Sequence, residues 1–306
     1  MSFSLQVKRE LCGLPIEKDC CIRAECYGML LGSRTFHKQG IALKSEHEEI
    51  ARRCATLLKE GFGITCRVTS PTRTNGFFTI RLTESFDCLT VLNAFGYTGD
   101  EPFFRINRGN FEDDCCVVAF LRGLFLSCGS ISHPEKSYHL EFSVGKYHLA
   151  QDLFALIGEY LTRPKLTTRR SGYVVYMKES EQIEDILTYM QAVNSTLELM
   201  QIKVVKDLRN KVNRVTNCET ANLSKSLEAG RRHLQAIETI EELADLDLLS
   251  DELKQVAVLR RDNPEASLSE LGSMLDDPLS RSGVNHRLTK IVEIAAKLRA
   301  EKEKQE

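Results

Sequence analysis

Residues Asp114–Gly129 read DCCVVAFLRGLFLSCG, and residues Asp19–Arg34, ninety-five positions earlier, read DCCIRAECYGMLLGSR. Aligned without gaps, six of the sixteen positions are identical: Asp, Cys, Cys, Ala, Gly and Leu. Most of the others set apolar against apolar. A repeat at this period implies a duplicated half-domain. Each copy is an apolar run of helical length with a glycine near its middle, Gly28 in the first and Gly123 in the second. Glycine inside a helix costs about 1 kcal/mol relative to alanine, so its presence calls for a reason, usually the close approach of another backbone. The expectation is two helices crossing at these glycines in the centre of a pseudo-symmetric domain.

The flanking residues repeat in the same order. After the first helix, GIALKSE (40–46) reads as a strand, and HEEIARRCATLLKEGFG as a helix with Ile50, Cys54, Leu57 and Leu58 on one face. ITCRVTS and GFFTIRLTES, joined by PTRTN, read as a hairpin. After the second helix come the strand SYHLEFS (137–143), the helix YHLAQDLFALIGEYL (147–161) and the hairpin of KLTTRR and GYVVYMKES. A short helix precedes the first copy, ending near Gly13 and Pro15, and residues 181–201 read as a closing helix. Asp19 is placed to cap the first repeated helix.

The 306 residues carry a formal net charge of −2, which neither implies nor excludes a nucleic-acid partner. The distribution says more. Residues 203–232 hold 8 basic and 3 acidic side chains, and residues 233–306 hold 10 and 16. The basic excess therefore sits in one connecting segment, where Lys211, Arg214, Lys225, Arg231 and Arg232 are candidate phosphate contacts. A solvated helical linker accounts for the same charges. Arg67, Arg81, Arg169 and Arg170 on the hairpins offer a second basic surface, or ordinary solvated strands.

The eleven cysteines contain no CxxC. The adjacent pairs Cys20–Cys21 and Cys115–Cys116 lack the usual spacing of zinc ligands, so no metal or other cofactor is expected. The chain opens without an apolar signal core and has no run of 18 apolar residues, which points to a cytoplasmic protein with reduced thiols and no membrane association.

The last seventy residues read as a helix-turn-helix. DELKQVAVLRRDNP forms one helix. SLSELGSMLDD forms the next, with Ser267 and Glu270 as a capping box. SRSGVNHRLTKIVEIAAKLRAEK forms the third, with Val284, Leu288, Ile291 and Ala295 facing inward. Its other face carries Arg281, Asn285, His286, Arg287 and Lys290, with no acid between Pro278 and Val292. That is the pattern of a helix entering a groove of double-stranded DNA. Arg281, Asn285 and His286 are placed toward base edges and Lys290 toward phosphate.

LRGLFLSCG (121–129) resembles a degenerate LAGLIDADG motif, the paired helix of homing endonucleases. The chain as a whole is similar to the WhiA family on AFLRGLFLSCGSISHPEKSYHLEF, NRVTNCETANLSKS and SLSELGSMLDDPLSRSGVNHRLTKI. The resemblance implies an α+β fold: a pseudo-twofold LAGLIDADG-like domain (1–202), a helical linker (203–250) and an all-α helix-turn-helix domain (251–306). It implies a bacterial, nucleoid-associated DNA-binding regulator of sporulation or cell division, and makes a transcription or division protein a plausible partner. In nucleases of the LAGLIDADG class each helix ends in an acid that binds magnesium. Here that position is Ser33 in one copy and Cys128 in the other, and Leu31 and Leu126 fill the motif's other acidic position. Magnesium takes hard oxygen ligands, so hydrolysis is expected to be lost. Two other readings compete: a nuclease using Glu25 or the run Glu112, Asp113 and Asp114, acids better placed as helix caps, and an adaptor whose N-terminal domain binds another protein.

Overall fold

A computed structural model of the chain describes residues 2–15, 17–71, 76–169 and 172–302. They form two compact units, Met1–Leu208 and Arg209–Glu306.

The first unit is a twofold repeat. Helix α1 (Phe3–Gly13) precedes it. The first copy comprises α2 (Asp19–Leu31), β1 (Thr35–His37), β2 (Gly40–Ser45), α3 (Glu48–Phe62), β3 (Phe78–Leu82) and α4 (Ser85–Ala94). The second comprises α5 (Asp114–Cys128), β4 (Gly129–Ile131), β5 (Leu140–Val144), α6 (Tyr147–Tyr160), β6 (Lys165–Arg169), β7 (Gly172–Met177) and α7 (Ser180–Tyr189). The sheets are antiparallel, in the orders β1-β2-β3 and β4-β5-β7-β6.

Helices α2 and α5 are apolar around most of their circumference because both are core helices. Every residue from Ala24 to Leu31 and from Ala119 to Leu126 is buried. Their contact obeys the twofold. A Cβ on Gly28 would lie 2.1 Å from the Phe120 carbonyl oxygen, and one on Gly123 would lie 2.0 Å from that of Glu25. The partners are related by the same ninety-five-residue offset as the glycines. Further along, Gly32 meets Ser127 and Cys128, so the helices run parallel and start beside start.

Besides the closing helix read over 181–201, which is broken between Tyr189 and Val193 at Gln191 with φ 71°, three readings of the sequence need correction. Among the described residues the first hairpin is incomplete. Residues 64–70 make only an isolated bridge, Thr69 to Thr79, whereas β6 and β7 pair over five residues. The second hairpin closes at Gly172, with φ +145° and its backbone against the Val144 carbonyl. The first copy has Phe77 at the equivalent position, a residue that resists such a φ. The PTRTN connection lies largely outside the described residues. Second, α4 extends the repeat by one element: it starts at Ser85 as α7 starts at Ser180. Third, Asp19 accepts no capping bond. It is the first residue of α2, after Lys18, and contributes only charge to the positive end of the helix.

Helix α8 (Val193–Leu243) is continuous over 51 residues. Its first amides are capped by α1: Asn194 and Ser195 N–H groups donate to the Glu10 carboxylate at 2.7 and 2.9 Å. Ala236, Ile237 and Ile240 of its last turns join the core of the second unit. That unit adds α9 (Asp251–Asp262), α10 (Leu268–Ser273) and α11 (Arg281–Lys302), packed on Val256, Leu271, Val284, Leu288, Ile291 and Ala295. No described helix is long and apolar enough to cross a membrane.

Candidate nucleic-acid interface

The helix-turn-helix is built by local rules. Ser267 accepts from the Glu270 N–H, and Glu270 accepts from the Ser267 N–H at 2.7 Å, completing the capping box of α10. The turn folds back so tightly that a Cβ on Gly272 would lie 2.2 Å from the Leu279 carbonyl oxygen. The Leu279 N–H donates to the Gly272 carbonyl at 3.0 Å. Ser280 then caps α11, its hydroxyl accepting from the Gly283 N–H at 3.3 Å. Arg260 is buried against the connection between α9 and α10, its guanidinium donating to the Ala266 carbonyl at 2.7 Å. Beside it lies His233, also buried, with no partner for Nδ1. Burial, reinforced by the Arg260 charge, lowers His233 to about 4, so its ring stays neutral.

Arg281, Asn285, His286 and Lys290 are exposed on α11. At 100° per residue, Asn285, His286 and Lys290 point away from the stripe of Val284, Leu288, Ile291 and Ala295, and exposed Ser282 and Thr289 share that side. These two hydroxyls carry no charge to mark them in the sequence, although the same angular arithmetic locates them. Arg287 is different. It falls on the flank beside α9, where its guanidinium lies 3.1 Å from the Glu252 carboxylate.

On α8, Lys211, Arg214, Lys225, Arg231 and Arg232 are all exposed. Helical geometry gathers Lys211, Arg214, Lys225 and Arg232 within about 60° of one another and sends Arg231 to the other side. The basic residues of the sheets do not form a comparable set. Arg67 and Arg81 are exposed, but Arg169 is paired with Glu141 at 2.8 Å, and Arg170 lies outside the described residues.

In the first unit, the positions of the lost acids are closed. The Ser33 hydroxyl donates to the Leu30 carbonyl at 2.6 Å, and the Cys128 thiol to that of Leu124 at 3.3 Å. Burial pushes Cys128 up to about 12, so it is a neutral thiol. The Lys8 ammonium donates to the Leu126 carbonyl at 3.2 Å, placing a cation at the C-terminal end of α5. Burial lowers the Lys8 value as well.

Glu25 is not a cap. It is fully buried in the middle of α2 and ion-paired to Arg53 at 2.7 Å and Arg122 at 3.3 Å. Asp113 and Asp114 stand exposed at the start of α5 without a capping bond. The cysteines also depart from the linear reading. Spacing along the chain scattered them, but α2 and α5 bring the Sγ atoms of Cys20, Cys21, Cys115 and Cys116 within 4.8 Å of one another. A hydrogen bond with the Cys21 thiol, helped by the Lys18 ammonium, holds Cys115 below its ordinary value.

Fold and site together define a class: a LAGLIDADG-like domain without its acids, followed by a C-terminal helix-turn-helix. The model of the WhiA LAGLIDADG-like domain matches residues 117–209, and that of the WhiA C-terminal HTH domain matches residues 212–295. The chain belongs to the WhiA family. It is 42% identical, over 98% of its length and 96% of the relative's, to a protein of Caldicellulosiruptor saccharolyticus named probable cell division protein WhiA. A protein of the same name from Bacillus cereus (strain G9842) is 41% identical over 98% of each chain. Among solved structures, the chain is similar to full-length DUF199/WhiA from Thermatoga maritima, with 25% identity, a TM-score of 0.59 and coverage of 97% of this chain and 99% of that one.

Proposed function

We propose that the chain is a non-enzymatic DNA-binding regulator that acts in cell division, chromosome segregation or sporulation. The observation that carries this reading is the outer face of α11. Asn285, His286 and Lys290 stand exposed along the N-terminal half of the last helix of a helix-turn-helix, and residues 279–291 contain no acid. The free amides of the first turn and Arg281 favour a phosphate there. Asn285 and His286 present hydrogen-bonding groups suited to base edges in the major groove. Lys211, Arg214, Lys225 and Arg232 on α8 supply sequence-independent attraction to phosphate, with Arg231 as an outlying member.

Loss of hydrolysis follows from the α2–α5 helix ends. A two-carboxylate magnesium site has no carboxylate at Ser33 or Cys128, and the Lys8 ammonium repels a divalent cation at the α5 end. The relatives are named for cell division, which supports a role in that process.

The test is binding of the full chain to genomic DNA fragments across a salt series, with Lys290→Glu and the pair Asn285→Ala and His286→Ala. Lys290→Glu is expected to weaken binding to every fragment and to lower the salt slope by about 1. The pair is expected to erase discrimination between fragments. Unchanged binding in both would remove α11 from the interface. Plasmid incubated with magnesium and the pure chain is expected to stay intact, and cleavage would overturn the non-enzymatic reading.

A further inference from the structure

The repeated dipeptide Cys20–Cys21 and Cys115–Cys116 has no part in the function proposed above. Each pair precedes the crossing glycine of its helix by eight and seven residues. Because α2 and α5 run parallel about a twofold that relates those glycines, both pairs stand at equal height above the crossing, about 12 Å along each axis. They therefore face each other. The Cys20 and Cys21 sulfurs are 4.0 Å apart, the Cys21 sulfur is 3.6 Å from the Cys115 carbonyl oxygen, and all four Sγ atoms lie within 4.8 Å of one another. Among the described residues this is the one such grouping.

We propose that these four cysteines bind a single zinc-class ion that clasps the two halves of the repeat at the start of α2 and α5. A tetrahedral ion with Zn–S bonds of about 2.3 Å holds its sulfurs about 3.8 Å apart, so the thiols need close by about 1 Å at most. An all-sulfur donor set selects a soft ion over magnesium or calcium. A cluster of several irons would need the sulfurs spread wider. Adjacent cysteines on one helix can span only one edge of the tetrahedron. The opposite edge has to come from a second helix start, which the duplication supplies.

Charge fits as well. Four thiolates around a divalent ion carry two negative charges. Two helix N-termini contribute about half a positive charge each. The Lys18 ammonium, 3.9 Å from the Cys115 sulfur, supplies the rest. Asp19, Asp113 and Asp114 oppose this, but all three are exposed to water. Three of the four cysteines are half-buried and Cys116 is buried, which leaves a path for an ion while shielding the site. Ligands from segments ninety-five residues apart meet only in the folded domain, so binding is linked to folding.

The experiment uses the full chain, reduced and stripped with a chelator, then titrated with zinc in competition with a chromogenic chelator. One equivalent per chain is expected to be retained, together with a rise in the unfolding temperature of the first unit. Cobalt in place of zinc is expected to show the thiolate charge-transfer and intense ligand-field bands of a tetrahedral sulfur site. Cys20→Ser with Cys115→Ser should weaken retention by more than the roughly hundredfold seen for outer-shell changes. Cys218→Ser, on an exposed cysteine of α8, should leave retention unchanged. If the double variant does not fold, the cobalt spectrum of the unaltered chain decides. Absence of those bands, zinc well below one equivalent, an iron–sulfur spectrum, or a disulfide within the cluster in place of metal would each overturn the proposal.

Discussion

The Arg287 guanidinium is ion-paired with the Glu252 carboxylate at 3.1 Å, which ties the N-terminal half of α11 to α9 and takes one cation off its outer face. The pair is exposed on the Glu252 side, so it contributes less than about 1 kcal/mol to stability. Its larger effect is on charge. Arg287→Ala is expected to weaken DNA binding less than Lys290→Glu, and Glu252→Gln to strengthen it several-fold by freeing Arg287. Fluorescence anisotropy at fixed salt measures all three, and the reverse order would contradict this assignment.

The glycines of the helix crossing cannot be enlarged. An alanine at Gly123 would place its Cβ 2.0 Å from the Glu25 carbonyl oxygen, against backbone that cannot swing aside. Gly123→Ala is expected to cost on the order of 3 kcal/mol, the upper end for overpacking. Gly13→Ala, where a Cβ meets nothing within 4 Å, serves as the control. Chemical denaturation of both variants gives the comparison.

Glu25 lies between Arg53 and Arg122 with no exposure. Glu25→Gln keeps the shape and removes the charge, leaving two guanidinium groups without their counter-ion. A loss of about 3–5 kcal/mol is expected for the first unit. A loss below about 1 kcal/mol would show that water reaches the cluster.

His233 gives the second unit an acid sensitivity. Its folded value is lowered to about 4 from an ordinary 6.5. Below pH 6.5 the unfolded chain takes up a proton that the folded chain refuses until about pH 4. Stability therefore falls as the pH drops through that window and levels off beneath it, by at most about 3 kcal/mol. Urea midpoints at pH 7 and pH 4.5 should converge in His233→Gln relative to the unaltered chain.

Much of this fold is legible in the chain because it rests on local periodicity. The α11 stripe Val284, Leu288, Ile291 and Ala295 repeats every three or four residues, and all four are buried. The Ser267–Glu270 capping box spans three residues and forms as its spacing predicts. The hairpin at 64–82 pairs less than its strand propensity predicts, since that propensity does not register that Phe77 stands where the other copy has Gly172. The flank position of Arg287 was available from its angle on the helix, but its partner Glu252 lies thirty-five residues away.

The sequence by itself determined the duplication, the glycine crossing, the helix-turn-helix and the absence of acids at Ser33 and Cys128. Each is a statement about residue types at fixed offsets along the chain. Tertiary structure alone decided that Glu25 is an ion-pair core residue, that Arg287 is held by Glu252, and that two dipeptides unremarkable in the chain become one cluster of four thiols. Those facts depend on which side chains meet across 28 to 97 residues of chain, a distance that no local pattern encodes.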